Sequence, residues 1–325
     1  MIISQTPLRV SFFGGGTDLK EYIDHKRGAV ISSSIDKYIY HTLSKFHSGL
    51  SDYLLKINYS NIEYVNSVDE INHLPFRKIL EFFNIKRDIE IHVASDLPAF
   101  TGLGSSSSFT VGLLKIIKYS MGEKINPLEL AKLAIKIEQD ILNETVGSQD
   151  QVIASYGGFN IIEFSKNEFT VSKINISNER LDELENSLLL IYTGIKRKAQ
   201  SIEKNKINNF QKNITSLNKI LKHVDIAFNI LESNKSLNDF GLLLDKTWLE
   251  KRNLDESVSN PQIDNLYNLG INSGAVGGKL LGAGGGGFML FYVPVDNQKR
   301  FRDNLKHYYE VKFKLNSEGS KILFS

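Results

Sequence analysis

The stretch from Asp96 to Ser108 reads DLPAFTGLGSSSS and runs straight into an apolar segment with helical spacing. Small residues ahead of a helix leave several backbone N–H groups unused and converging. The helix N-terminus adds partial positive charge there, and the two together suit a phosphate. Gly102, Leu103, Gly104 and the hydroxyls of Ser105, Ser106, Ser107 and Ser108 are the candidate cradle. Serine hydroxyls can donate to phosphate oxygens or ligate magnesium. The plain alternative is a serine-rich cap on an ordinary helix. The string is not a Walker A loop, since no G-x-x-x-x-G-K-[ST] occurs.

Two more glycine clusters flank this one. PLRVSFFGGGTD, Pro7 to Asp18, ends an apolar strand in glycines and then presents a carboxylate. Arg9 could face an anion there, and Asp18 could accept from sugar hydroxyls or cap a turn. The third cluster, Gly277 to Gly287, contains G-x-G-x-x-G from Gly282. Too little chain follows for a dinucleotide domain. So dense a run is costly unless backbone must pass close to a ligand or a facing loop. A fourth stretch carries Glu138 and, in a Gly-x-x-Asp turn before an apolar segment, Asp150. Two such carboxylates could divide metal binding and proton acceptance, or be solvated and capping acids.

Strands and helices must position these groups. Strands are expected over Leu8–Phe13, Ala29–Ile39, Ile89–Val93, Tyr156–Phe164, Ser187–Tyr192 and Phe288–Val293. Helices are expected over Pro75–Phe83, Ser105–Met121, from Pro127, over Ala199–Leu231 and Leu237–Asn253, from Pro261, and near Val295–Tyr308. The Pro127 helix has the clearest start: Asn126 caps it and Glu129 completes a capping box. A domain boundary is placed at residue 180, giving segments 1–180 and 181–325.

The whole chain sets limits on function. It has 325 residues, 41% hydrophobic and 23% charged, which is globular composition with length enough for two domains. No cysteine is present, which excludes disulfides, thiolate nucleophiles and Cys-ligated metals. Lys+Arg 39 against Asp+Glu 37 gives no field that calls for nucleic acid or an anionic membrane. The seven histidines show no metal-ligand spacing. The opening residues do not read as a signal peptide, and no apolar run is long enough to span a bilayer. A cytoplasmic protein is expected.

Taken together, the three clusters in this order resemble the three motifs of the GHMP small-molecule kinases, over nearly the whole chain. The GGGTD form of the first motif, Ile35 to Ile39, Val146 to Gln151, Tyr156 to Phe159, and Trp248 with Lys251 and Arg252 are similar to the D-glycero-D-manno-heptose 7-phosphate kinases. The resemblance implies an α+β fold of two domains, a ribosomal-S5-like N-terminal one and a ferredoxin-like C-terminal one, with the site in the cleft between them. It also implies roles. Asp150 matches the catalytic aspartate, and Arg9 the basic group that stabilises the transferring phosphoryl. Glu138 and Ser106 match magnesium ligands, with Ser105 or Ser107 as alternates along the serine run. Asp18, with Gly15, Gly16 and Thr17, matches the sugar-binding motif. Gly282, Gly284, Gly285 and Gly286 match the supporting loop.

The implied function is ATP- and magnesium-dependent phosphorylation of the anomeric hydroxyl of the heptose 7-phosphate, feeding GDP-heptose and surface polysaccharide. A phosphorylated substrate needs a second anion site, for which Arg197, Lys196 and Lys251 are candidates. Homo-oligomers are compatible. The rivals are a kinase for galactose, fucose or a hexose phosphate, a non-catalytic nucleotide sensor, and a decarboxylase of the same superfamily. Replacing Asp150 by Asn is expected to keep the fold and lose turnover.

Overall fold

The computed structural model describes residues 1–166, 168–196 and 209–325. Two long strands set the frame. β1 (Ile2–Phe13) and β2 (Gly28–Lys45) pair antiparallel from Ile2 opposite Leu43 to Phe13 opposite Ile31. β2 outruns its neighbours, so its two ends carry different partners. Its second half pairs β5 (Ile89–Ser95) and its first half pairs β6 (Phe159–Ser165). β3 (Leu55–Asn58) and β4 (Ile62–Val65) extend the sheet beyond β5, and β7 (Glu168–Lys173) extends it beyond β6. Only the β3–β5 ladder of these is parallel.

Helices α2 (Leu74–Phe82), α3 (Ser105–Ser120), α4 (Pro127–Lys136) and α5 (Gln149–Tyr156) belong to this half of the chain, which also has the short α1 (Lys20–Ile23). Val111, Leu114 and Ile117 of α3 meet Ile57, Ile91 and Leu43 of the sheet in one fully buried cluster. The capping box on α4 is present: the Asn126 side chain accepts from Glu129 N, and the Glu129 carboxylate from Asn126 N. The expected strand from Tyr156 is displaced, because α5 runs through Tyr156. Gly157 and Gly158, at φ +66° and +86°, then break the helix and turn the chain into β6.

α6 (Asn178–Ser187) leads into a second, antiparallel sheet. It contains β8 (Leu188–Tyr192), β9 (Gly277–Leu280), β10 (Phe288–Tyr292) and β11 (Glu310–Val311), in the order β11-β8-β10-β9 among the described residues. α7 (Phe210–Glu232), α8 (Asn238–Arg252), α9 (Pro261–Asn272) and α10 (Gln298–Asn304) accompany it. The first part of the helix expected from Ala199, up to residue 208, lies outside the described residues. The last helix is shorter than expected, with a 3-10 turn over Val295–Asn297 before it. The final strand, β12 (Lys321–Phe324), returns to pair with β1.

The two sheets share a core. Leu8, Val10 and Phe12 of β1 cluster with Leu188 and Leu190 of β8, Val224 of α7 and Phe240 and Leu244 of α8. Lys279 Nζ crosses between the sheets and donates to Ser11 O and Phe12 O at 3.0 and 2.7 Å. This α+β arrangement of two sheets brings the glycine clusters, which stand far apart in sequence, to one place.

Candidate active site

The site begins where β5 gives way to α3. Gly102 and Gly104 take φ +82° and +75°, conformations open to glycine at no steric cost. Gly104 is the N-cap of α3, and Ser108 N closes the first helical turn on Gly104 O at 2.9 Å. The N–H groups of Ser105, Ser106 and Ser107 therefore stand ahead of the helical ladder. A Cβ on Gly104 would lie 3.1 Å from Arg9 Cγ and 3.3 Å from Asp150 Oδ2. Glycine there lets the loop close directly onto the Arg9–Asp150 pair.

That pair is bidentate. Arg9 Nε donates to Asp150 Oδ1 at 2.8 Å and Nη2 to Oδ2 at 2.7 Å, while Nη1 donates to Gly102 O at 2.6 Å. Parallel charge-assisted bonds fix the carboxylate plane. Arg9's side chain is 6% exposed, and Asp150's, at 22%, still reaches solvent. Asp150 stands in the first turn of α5, where the expectation was a turn ahead of an apolar segment. Its carboxylate thus sits at the positive end of the helix.

Three consecutive residues of α5 touch three separate elements. Gln149 N donates to Asp18 Oδ2 at 3.1 Å, and the Gln149 side chain accepts from Ser11 Oγ at 2.6 Å. Asp150 takes Arg9. The Gln151 amide donates to Glu138 Oε2. The Gln149 and Asp150 side chains thus both meet β1, the Gln151 side chain meets Glu138, and the Gln149 backbone N–H takes Asp18.

Glu138 reaches the centre by a local irregularity. α4 is followed by one π turn, Ile137–Ile141, in which Leu142 N bonds to Ile137 O at 2.9 Å. Such widened turns often mark functional sites. Here the turn carries Glu138 into the interior, where it is 1% exposed. Ser107 Oγ donates to Glu138 Oε2 at 2.8 Å, whereas Oε1 is buried with no hydrogen-bond partner. Burial pushes the Glu138 carboxyl up to about 7, partly opposed by nearby hydroxyl and amide donors. A buried carboxylate with one free oxygen beside a serine hydroxyl fits a magnesium ion that takes its other ligands from phosphate and water. No group of three or more acidic or His side chains able to hold a metal occurs among the described residues. Ser106 is exposed, so the pairing with Glu138 falls to Ser107, one of its alternates.

Asp18 is 1% exposed, and both its oxygens accept backbone N–H groups, from Gly16 at 3.0 Å and from Gln149. Burial pushes its carboxyl up to about 6; the Gln149 N–H opposes the rise and the Asp150 charge adds to it. Asp18 therefore braces the first glycine turn against α5. Thr17 braces the same turn, its hydroxyl donating to Gly14 O and Ala29 O. Gly15 stands beside the Gln149 amide, and Gly16, at φ +98°, packs under Leu217 of α7.

The loop between β9 and β10 backs the phosphate loop. A Cβ on Gly282 would lie 2.5 Å from Gly102 Cα, and one on Gly102 would lie 2.7 Å from Leu281 O. Gly285 N bonds to Val258 O at 2.8 Å, Gly284 packs on Val258 and Gly286 on Ile195.

Known proteins match this arrangement. The family model for the GHMP kinases N terminal domain matches residues 73–158, and that for the GHMP kinases C terminal matches residues 227–311. The D-glycero-alpha-D-manno-heptose 7-phosphate kinase of Campylobacter jejuni is 34% identical over 310 residues, covering 90% of this chain and 89% of that protein. The chain belongs to the GHMP kinase family. A galactokinase of Pyrococcus furiosus is 26% identical over 96% of this chain and 94% of its own length. The crystal structure of a D-glycero-D-manno-heptose 1-phosphate kinase from Bacteroides thetaiotaomicron shares the fold, with a TM-score of 0.81 at 24% identity over 100% of this chain and 99% of that one. This GHMP kinase is accordingly a phosphotransferase with an alcohol group as acceptor and ATP as donor.

Other expected site residues of the kinase sit elsewhere. Lys251 is 7% exposed and donates to Leu280 O and Gly282 O, which places its ammonium under the supporting loop. Lys196 is exposed, and Arg197 lies outside the described residues. Arg252 pairs with Asp264 at 3.2 Å. Sequence reasoning missed Gln149 and Gln151 as contacts. The signal available was the Gln-Asp-Gln run ahead of the apolar Val152–Ala154. No helix of the described residues is long and apolar enough to cross a membrane.

Proposed function

We propose that this GHMP kinase transfers the terminal phosphoryl group of ATP to the anomeric hydroxyl of D-glycero-D-manno-heptose 7-phosphate, giving the 1,7-bisphosphate. The observation that carries the chemistry is the Asp150 carboxylate, held through both oxygens by Arg9 against the Gly104 turn. The similarity to the Campylobacter jejuni enzyme supports the substrate.

The N–H groups of Ser105 to Ser107 receive the phosphates of the donor. Asp150 accepts the proton of the attacking hydroxyl as the new O–P bond forms and the bond to ADP breaks. Arg9 orients Asp150 and adds positive charge where the phosphoryl group passes. Such transfer depends on positioning and charge neutralisation more than on covalent help. Glu138 through Oε1, with Ser107, would hold a magnesium ion, which when bound neutralises charge on the phosphates. Asp18 shapes the sugar pocket through the first glycine turn. The chain divides near residue 180, within α6, into a nucleotide-binding segment, 1–180, and a second segment, 181–325, whose last strand β12 pairs back onto β1. The product would feed GDP-heptose for surface polysaccharide in the cytoplasm.

The test is ADP release with ATP and magnesium across D-glycero-D-manno-heptose 7-phosphate, mannose 6-phosphate, free heptose, galactose and fucose. Turnover confined to the heptose phosphate, with phosphate at both ends of the product, is the expected result. Preference for a free hexose would keep the kinase chemistry and discard the heptose assignment.

A further inference from the structure

Gln151 is 0% exposed, yet only one end of its amide has a partner. Its Nε2 donates to Glu138 Oε2, the oxygen that also accepts from Ser107 Oγ. Its own Oε1 and the Glu138 Oε1 are both buried and unpartnered. An amide kept for stability alone would have both ends bonded, since buried polar groups without partners are costly and rare. The pattern is lopsided instead. Two donors converge on one carboxylate oxygen and leave the other without a partner, since the Thr110 hydroxyl, which stands near Glu138, donates to Ser106 O instead.

The orientation of the amide follows from charge. Reversed, it would set its carbonyl oxygen against Glu138 Oε2, acceptor against acceptor. Its backbone is also tied down: Ser155 Oγ donates to Gln151 O at 2.8 Å, and Gln151 directly follows Asp150 in the first turn of α5. The side chain therefore links the carboxylate buried beside the serine loop to the helix that presents the proton acceptor.

We propose that Gln151 is a positioning residue, whose amide holds Glu138 with Oε1 turned free to take a divalent cation. The inference rests on the magnesium reading of Glu138 given above. Partners that orient a metal ligand typically govern affinity by about 10- to 100-fold.

The experiment uses the full chain with a non-hydrolysable ATP analogue and Mn2+ as probe, reading free Mn2+ by electron paramagnetic resonance. Wild type should bind Mn2+ in the ternary complex, and Glu138→Gln should weaken it. Gln151→Met, which keeps length and loses the donor, should weaken Mn2+ about 10- to 100-fold. Its affinity for the analogue without metal should stay as in wild type. In turnover, the magnesium concentration for half-maximal rate should rise more than kcat falls. Gln151→Asn keeps an amide that is one methylene too short to reach Glu138, and should weaken Mn2+ likewise. It serves if the Met variant fails to fold. A folded Gln151 variant with wild-type Mn2+ affinity, beside a weakened Glu138→Gln, overturns the role of Gln151 alone. Equal Mn2+ affinity in wild type and Glu138→Gln overturns the magnesium reading and this inference with it.

Discussion

Replacing Asp150 by Asn should do two things, and the structure sets the size of the second. As proton acceptor, Asp150 contributes a factor on the order of 10² to 10⁴ in turnover. From sequence, the substitution is expected to leave folding intact. The geometry adds a cost in stability to that expectation. Arg9's side chain is 6% exposed, and Asp150 takes two of its N–H groups. An Asn there offers one acceptor and turns an NH2 group toward the other guanidinium donor. Breaking a buried ion pair on one side costs about 3–5 kcal/mol. Asp150 is 22% exposed, and Arg9 keeps Gly102 O, so about 2–3 kcal/mol is the expected loss, reduced by solvent screening. For a chain of 325 residues that corresponds to roughly 3–5 °C in the unfolding midpoint.

The assay is a thermal scan of wild type, Asp150→Asn, Arg9→Met and the double variant, with turnover measured well below each midpoint. The double variant should be no less stable than Asp150→Asn alone, because the unpaired guanidinium is gone. An Asp150→Asn protein that melts like wild type, with losses that simply add to those of Arg9→Met, would refute the coupling. Near-normal turnover in the folded variant would refute the proton-acceptor role.

Two further predictions test the frame around the site. Gly282→Ala places a Cβ 2.5 Å from Gly102 Cα at φ +68°, a left-handed conformation that alone costs about 1–2 kcal/mol. It should lower the unfolding midpoint and raise the KM for ATP together, and wild-type values for both would remove the interlock of the two loops. His41 is buried beside Phe109 with neither ring nitrogen partnered, and burial lowers it from 6.5 to about 3. Between those values the unfolded chain binds a proton that the native one does not, so stability falls as pH drops from 6.5 toward 3. The slope is about 1.4 kcal/mol per pH unit. His41→Leu should flatten the midpoint-versus-pH curve over that range, and an unchanged slope would show that His41 is not its source.

How much of this was legible in the chain depends on whether the signal was local. The capping box at Asn126 and Glu129 was readable because it is a four-residue contact. The three glycine clusters were readable because glycine is demanded by backbone conformation, which is a property of the position itself. Arg9 stood within the first of them, whereas Glu138 and Asp150, in a separate stretch, could by residue type equally be solvated or capping acids and drew their roles from the family resemblance; composition had already excluded thiol chemistry.

What only the tertiary structure decided were the pairings. Arg9 and Asp150 meet because α5 packs against β1, and the loop at Gly104 closes onto the pair. Ser107 rather than Ser106 faces Glu138 because helical phase selects one hydroxyl of the run, and a π turn re-aims the carboxylate. Lys251, a cation that sequence could equally assign to an anion, is held by the carbonyls of Leu280 and Gly282. Charge and spacing along the chain state what a side chain can bind; which partner it has depends on distances set by packing between elements far apart in sequence.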